Sequence, residues 1–111
     1  MREISWVLLI DRGARENPTF RWDGIQAGLD YLAEYWALRF TRTSNPRARV
    51  KFIASRTQGG PNWAAWANRS NFEIRISPTF NFGSNLLTSA TAVVHEFMHL
   101  AGGSHHSFVL S

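Results

Sequence analysis

The sequence predicts an α/β fold in which a small, twisted mixed β-sheet is backed by two long helices. Short apolar runs with strand-like character alternate along the chain with two stretches whose apolar residues recur at helical intervals. The chain has 111 residues, enough for one hydrophobic core and too few for two. Residues 1–111 are therefore predicted to form a single domain.

The first strand is predicted over residues 4–10, a nearly continuous apolar run. Such a run is expected of a strand that is covered on both faces. Residues 11–18 contain charged residues, glycine and proline, so they are predicted to form a loop.

A helix is predicted over residues 23–40. Asp23 and Gln26 have the spacing of a capping box at its start. Apolar residues then recur at helical intervals, which favours a core stripe packed on a sheet; these residues are Trp22, Ile25, Leu29, Leu32, Trp36 and Phe40.

Two further strands follow a turn-rich connection at residues 41–46. Residues 49–55 place Val50, Phe52 and Ala54 on one face, and residues 72–77 place Phe72, Ile74 and Ile76 on one face. This period of two is typical of strands.

Between these strands, glycines and a proline at residues 58–62 break the chain. Residues 63–68 are predicted to form a short edge strand. The last helix is predicted from about Asn85 or Thr88 to Ala101, where two glycines, Gly102 and Gly103, end it.

The composition excludes several classes of protein. Five Trp, eight Phe and two Tyr argue against a disordered chain, and no apolar run approaches the ~20 residues that a membrane span needs. The chain has no cysteine, which excludes a disulfide framework, a thiolate zinc site and a cysteine nucleophile. Without cysteine or a signal segment, the sequence favours a protein that acts inside a cell or leaves it by a non-classical route.

The positive charge is unevenly distributed. Eleven Arg and one Lys against eight acids give a net charge of +4. Residues 35–94 contain eight basic residues and one acid, Glu73, so that 8 − 1 leaves this stretch at +7. This excess suits an anionic substrate or partner, although a solvated basic face is the commoner explanation.

The four histidines lie close together near the end of the chain, with Glu96 beside the first. His95 and His99 are four residues apart on a predicted helix, so both imidazoles project from one face and can bind one ion of zinc size. Glu96 lies about 100° around the helix, where a carboxylate can deprotonate a metal-bound water.

Gly102 can adopt a left-handed conformation that turns the chain back beneath the ion. His105 then supplies a third nitrogen, and the fourth position stays open for a water whose pKa falls towards ~7. His106 is an alternative to His105 as ligand, or a hydrogen-bonding or solvent-facing residue. Ser104 and Ser107 have no partner pattern of a nucleophile.

Residues 95–105 match His-Glu-x-x-His-x-x-Gly-x-x-His, and the chain thereby resembles the metzincin zinc metalloendopeptidases, most of all the matrixin branch. The motif covers a tenth of the chain, and the order of elements is similar to a metzincin upper subdomain. The resemblance implies that His95, His99 and His105 bind one catalytic zinc ion and that Glu96 is the general base. It also implies that a peptide substrate lies extended along the edge strand.

The resemblance is to a minimal form of that family, the upper subdomain alone. No methionine follows His105, and Met98 lies inside the helix between two of the ligand histidines. The family's assisting tyrosine has no counterpart, because Tyr31 and Tyr35 lie on the first helix. The acid-poor stretch before the last helix lacks the aspartates of matrixin calcium loops, so no calcium site is predicted.

The leading hypothesis is a zinc-dependent endopeptidase whose substrates are peptides or proteins, including acidic ones. One alternative is a zinc-binding interaction domain that is weakly active or inactive, and another is a structural zinc site. A third is a basic nucleic-acid-binding module, which Trp63 and Trp66 near Arg56 and Arg69 would suit. The chain has no recognised nucleic-acid motif, so neither nucleic acid nor a membrane is the expected partner. The oligomeric state is not predicted.

Overall fold

The computed structural model describes residues 2–102. Within them, five strands form one mixed sheet in the order β2-β1-β3-β5-β4, and two helices pack on it, as the sequence predicts. Every neighbouring pair of strands is parallel except β4 and β5, which are antiparallel. The elements are β1 (Arg2–Ile10), α1 (Asp23–Ala33), β2 (Leu38–Arg42), β3 (Val50–Ala54), β4 (Ala65–Asn68), β5 (Glu73–Ile76) and α2 (Leu86–Leu100).

One hydrophobic core lies between the sheet and the two helices. Trp6 and Phe52 on adjacent strands meet edge to face, with ring centroids 5.6 Å apart. On the helix side, the fully buried side chains of Ile25, Leu29 and Val93 close the core. The strand residues of this core share one face because successive side chains alternate across a strand.

The two helices approach each other at two glycines of α1. A Cβ atom on Gly24 would lie 2.9 Å from the Cβ of Ser89, and one on Gly28 would lie 2.8 Å from the carbonyl oxygen of Ala90. Both distances are shorter than van der Waals contact, so only glycine allows this spacing. The backbone of α1 therefore packs directly against α2.

The predicted first helix is too long. It ends at Ala33, and Leu38–Arg42 forms β2, which pairs in parallel with β1. Phe40 is buried and packs edge to face on Phe97, a contact that a strand residue satisfies as well as a helical one. The connection predicted at residues 41–46 instead covers residues 43–49, between β2 and β3.

The predicted capping box is also wrong. Trp22 occupies the N-cap of α1 with helical dihedral angles and makes no side-chain cap. Asp23 instead forms an ion pair with Arg21 at 2.7 Å, and Gln26 accepts a 2.9 Å hydrogen bond from the indole N–H of Trp6. For α2, Asn85 is the N-cap, because its side chain accepts from the backbone N–H of Thr88.

The expectation that β1 is covered on both faces is correct only in part. Ile10, on the core face at the end of the strand, is 52% exposed, and Val7 is buried on the face away from the core. On that face, Glu3 forms an ion pair with Arg39 of the neighbouring β2. No helix of the described residues packs there, so charged side chains and solvent complete this side of the sheet.

A buried asparagine joins the first loop to the segment that follows β5. The side-chain amide of Asn17 donates hydrogen bonds to the carbonyl oxygens of Ser77 and Phe80, both at 2.8 Å. Its side-chain oxygen accepts from the backbone N–H and the hydroxyl of Thr19. The side-chain amide of Asn17 thus uses both of its donor hydrogens and both acceptor positions of its oxygen.

Within residues 2–102, neither α1 nor α2 has the length and apolar character that crossing a bilayer requires.

Candidate metal centre

The centre is built on α2, whose buried face packs on the core through Val93, Phe97 and Leu100. His95 and His99 project from another side of this helix, as their spacing predicts. Their Nε2 atoms are 3.1 Å apart, and their rings meet edge to face with centroids 4.8 Å apart. Two ring nitrogens at this distance either share a proton or bind a common cation.

The residues fit a metal ion. Two nitrogens bound to one tetrahedral zinc at 2.0–2.1 Å are separated by roughly 3.3 Å, close to the 3.1 Å observed between the histidines. One ligand atom each from His95, Glu96 and His99 lies within 4.8 Å of the others. This triad can therefore hold a metal ion, and imidazole donors suit zinc, copper, nickel and iron.

Glu96 is the buried member of the triad, with 9% of its surface exposed. Burial raises the pKa of its carboxyl from 4.5 to about 7, because removal from water disfavours the charged form. One carboxylate oxygen lies 3.9 Å from Nε2 of His95. The carboxyl is thus poised to gain or lose a proton near neutral pH.

The end of α2 agrees with the predicted turn. Gly102 has φ +95°, and its backbone N–H donates to the carbonyl oxygen of His99 at 3.0 Å. Met98 packs against the core. The proposed third ligand His105 and its alternative His106 lie outside the described residues, so their roles stay predictions.

A cleft of about 980 Å³ lies between α2 and the edge strand β4. The edge strand predicted at residues 63–68 is confirmed over Ala65–Asn68, with β4 at the end of the sheet and antiparallel to β5. The walls combine the segment from Trp63 to Ser70 with residues of α2 and two phenylalanines. They are lined by Trp63, Ala64, Ala65, Trp66, Ala67, Asn68, Arg69, Ser70, Phe80, Phe82, Thr88, Thr91, Ala92, His95, Glu96 and His99.

Along the edge of the sheet, the main chain of β4 has hydrogen-bonding groups that no residue of 2–102 uses. The N–H of Ser77 donates to the carbonyl oxygen of Ala64, which fixes the hydrogen-bonded pairs of this antiparallel ladder. Because these pairs alternate, Ala65 and Ala67 direct their N–H and C=O groups away from β5. The free edge beside the histidines thus offers donors and acceptors for another strand.

Sequence reasoning missed the cleft residues Thr88 and Thr91. They precede His95 by seven and four residues, and so lie on the same face of α2 as the histidine. The helical period that paired His95 with His99 would have identified both threonines. Phe80 and Phe82 carried no such signal, because they come from an irregular segment.

A second, smaller cavity of about 430 Å³ lies where β1 and β3 end, lined by Asp11, Arg12, Arg56, Thr57 and Arg75. Burial acts to raise the pKa of Asp11. The backbone N–H of Arg56 and the guanidinium of Arg75, 2.7 Å away, outweigh that effect and hold this pKa below its usual value. This cluster ties the ends of three strands together.

No protein-family model matches this chain, and no curated protein is similar to it in sequence. The inference of function therefore depends on the geometry of the cleft and on the sequence motif.

Proposed function

We propose that this protein is a zinc-dependent endopeptidase of the metzincin kind, with Glu96 as the general base. The observation that carries the proposal is the pair of imidazole nitrogens 3.1 Å apart, beside a buried carboxyl, in a cleft bounded by an edge strand. Sequence spacing alone does not require this combination. A helix that used its histidines only for packing would need neither the cleft nor the strand.

His95 and His99 would hold the ion, with His105 as the expected third ligand. When bound, zinc lowers the pKa of a water molecule and polarises a carbonyl group. The side chains are held in place by α2, whose opposite face is locked in the core. The carboxyl of Glu96 is close enough to both histidines to belong to the same site.

Glu96 would move the proton. A general base works best when its pKa is near the working pH, and burial brings the carboxyl of Glu96 to about 7. As a carboxylate it would accept a proton from the attacking water. As a carboxylic acid it would then donate that proton to the nitrogen of the leaving amine, which restores the carboxylate for the next cycle.

The edge strand would hold the substrate. An extended peptide can add to β4 through the outward N–H and C=O groups of Ala65 and Ala67. Main-chain hydrogen bonds recognise a peptide without selecting its side chains. A peptide added there would lie beside the histidines of α2, which line the same cleft.

The test is digestion of a diverse peptide mixture by zinc-loaded protein, read by mass spectrometry, with zinc content measured in every sample. Glu96→Gln should bind zinc and lose activity about 100-fold or more. Glu16→Gln, which changes an exposed glutamate in the first loop, should cleave like the parent. Activity that survives in Glu96→Gln contradicts the mechanism, and zinc binding without cleavage by the parent favours the interaction-domain alternative.

A further inference from the structure

Arg69 lies at one end of the cleft, directly after β4. It lines the cleft together with His95, Glu96 and His99. Its Nη1 atom is 3.7 Å from the point that a Cβ atom on Gly102 would occupy. Gly102 lies just after the end of α2, three residues after His99. The guanidinium is therefore at the end of the cleft where α2 terminates.

The turn between β4 and β5 fixes the backbone of Arg69. The side-chain oxygen of Asn68 accepts the backbone N–H of Ser70 at 3.0 Å, closing a tight turn around residue 69. Asn68 is in turn paired with Glu73 across the hairpin. The base of the arginine is thus held at a defined place relative to the edge strand.

The guanidinium of Arg69 is exposed, and no carboxylate among residues 2–102 forms an ion pair with it. The acid nearest along the hairpin, Glu73, lies 3.7 Å from Nε of Arg75 instead. Of the described residues that line this cleft, Arg69 is also the one Lys or Arg. It therefore gives one end of the cleft a positive charge that no described acid neutralises.

The other end of the cleft is aromatic. Trp63 is 53% exposed and lies 6.4 Å from Trp66, centroid to centroid. Gly59 and Gly60 pack on these rings, since a Cβ on either would come within 2.9 Å of them. Arg69 follows Trp63 by six positions, at most about 20 Å of chain, so a peptide of about six residues is long enough to reach both ends.

We propose that Arg69 selects substrates that carry a carboxylate at the Gly102 end of the cleft. The inference rests on the proposed peptidase function and names its substrate class. A guanidinium pairs with a carboxylate through two parallel hydrogen bonds, which a neutral amide cannot reproduce. The carboxylate comes either from an acidic side chain or from the free C-terminus of the peptide, and both sources present the same group to Arg69.

The experiment measures peptide binding to zinc-loaded Glu96→Gln protein by calorimetry, so that the peptides stay intact. Octapeptides with one Glu moved through each position are compared with matched Gln peptides, and each is made as a free acid and as an amide. At one Glu position, or in the free-acid arm, binding should be about tenfold tighter than in the matched neutral peptide. The set of peptides that binds more tightly shows whether the carboxylate comes from an acidic side chain or from the free C-terminus.

Arg69→Ala, made in the Glu96→Gln background, should abolish this preference, and Arg69→Lys should retain part of it, because lysine keeps the charge but not the paired geometry. Arg15→Ala is the matched control, since it removes the same charge from an exposed loop that does not line the cleft. Equal binding of charged and neutral peptides, a preference that survives in Arg69→Ala, or no measurable binding overturns the inference. Failure of the parent to hydrolyse peptides would overturn the proposed function alone, since selective binding by Glu96→Gln is read without hydrolysis.

Discussion

The buried carboxyl of Glu96 should make the stability of the metal-free protein depend on pH. Its pKa is about 7 in the folded chain against an ordinary 4.5. A raised pKa means that the folded state binds the proton more tightly than the unfolded state. The stability that comes from this proton is fully present below about pH 4.5 and is lost as pH rises through 7.

The size of the effect follows from the two pKa values. Each pKa unit corresponds to 1.36 kcal/mol, so the difference between 4.5 and about 7 is worth about 3 kcal/mol. Glutamine has nearly the same shape as a protonated glutamate and cannot ionise. The free energy of unfolding of Glu96→Gln, relative to that of the parent, should therefore rise by about 3 kcal/mol between pH 4.5 and pH 8.5.

The measurement is urea unfolding of both proteins in excess chelator from pH 4.5 to 8.5, followed by tryptophan fluorescence. Glu16→Gln, at an exposed position, should run parallel to the parent across the whole range. A difference between Glu96→Gln and the parent that does not change with pH would show that the carboxyl is solvated, and the reasoning from burial would be wrong.

Three further substitutions test how the scaffold is held, each by urea unfolding. Asn17→Ala should lower the free energy of unfolding by about 2–4 kcal/mol, because the buried Ser77 carbonyl loses its side-chain donor and the Phe80 carbonyl loses one of two. Asn45→Ala, at an exposed turn, should cost less than about 1 kcal/mol, and equal losses would contradict the account. Asp11→Asn should destabilise the protein at pH 7 but not at pH 2, since a lowered pKa contributes stability above about pH 4 that is lost as pH falls; a loss of the same size at both pH values would exclude the ion pair as its cause. Gly28→Ala should lower the free energy of unfolding by about 1–3 kcal/mol, because the added methyl group overpacks the contact between the helices. The better helix propensity of alanine reduces this loss, and Ala27→Gly measures that propensity as the opposite substitution. A stabilised Gly28→Ala protein would mean that the helices move apart freely.

Local sequence patterns were sufficient to predict features that depend on a single helix or strand. The helical spacing of His95 and His99 predicted the close pair of imidazoles, and the short run at residues 63–68 predicted the edge strand. Asn85 has the side chain that an N-cap needs, and the structure uses it. In each case the chemistry and the geometry lie within a few neighbouring residues.

The predictions that were wrong concern residues whose structure depends on contacts with residues distant in the sequence. Phe40 fits a helical stripe and a strand equally well, and pairing with β1, more than thirty residues earlier, selects the strand. Gln26 fits a capping box, but the indole N–H of Trp6 on β1 binds its side chain. The sequence does not show that Arg69 lines the cleft, because its position there depends on the packing of the β4–β5 hairpin beside the end of α2. A single sequence contains no record of these long-range contacts.

The close contact at Gly24 and Gly28 also bears on how readily the histidine pair receives an ion. Because backbone touches backbone there, α2 cannot roll about its axis without driving the Ala90 carbonyl into α1. The side chains of His95 and His99 project from the side of α2 opposite to that contact, so the packing of the two helices fixes their orientation. Little conformational freedom then remains to be lost on ion binding, and affinity for the metal becomes a property of helix packing as much as of the ligands themselves.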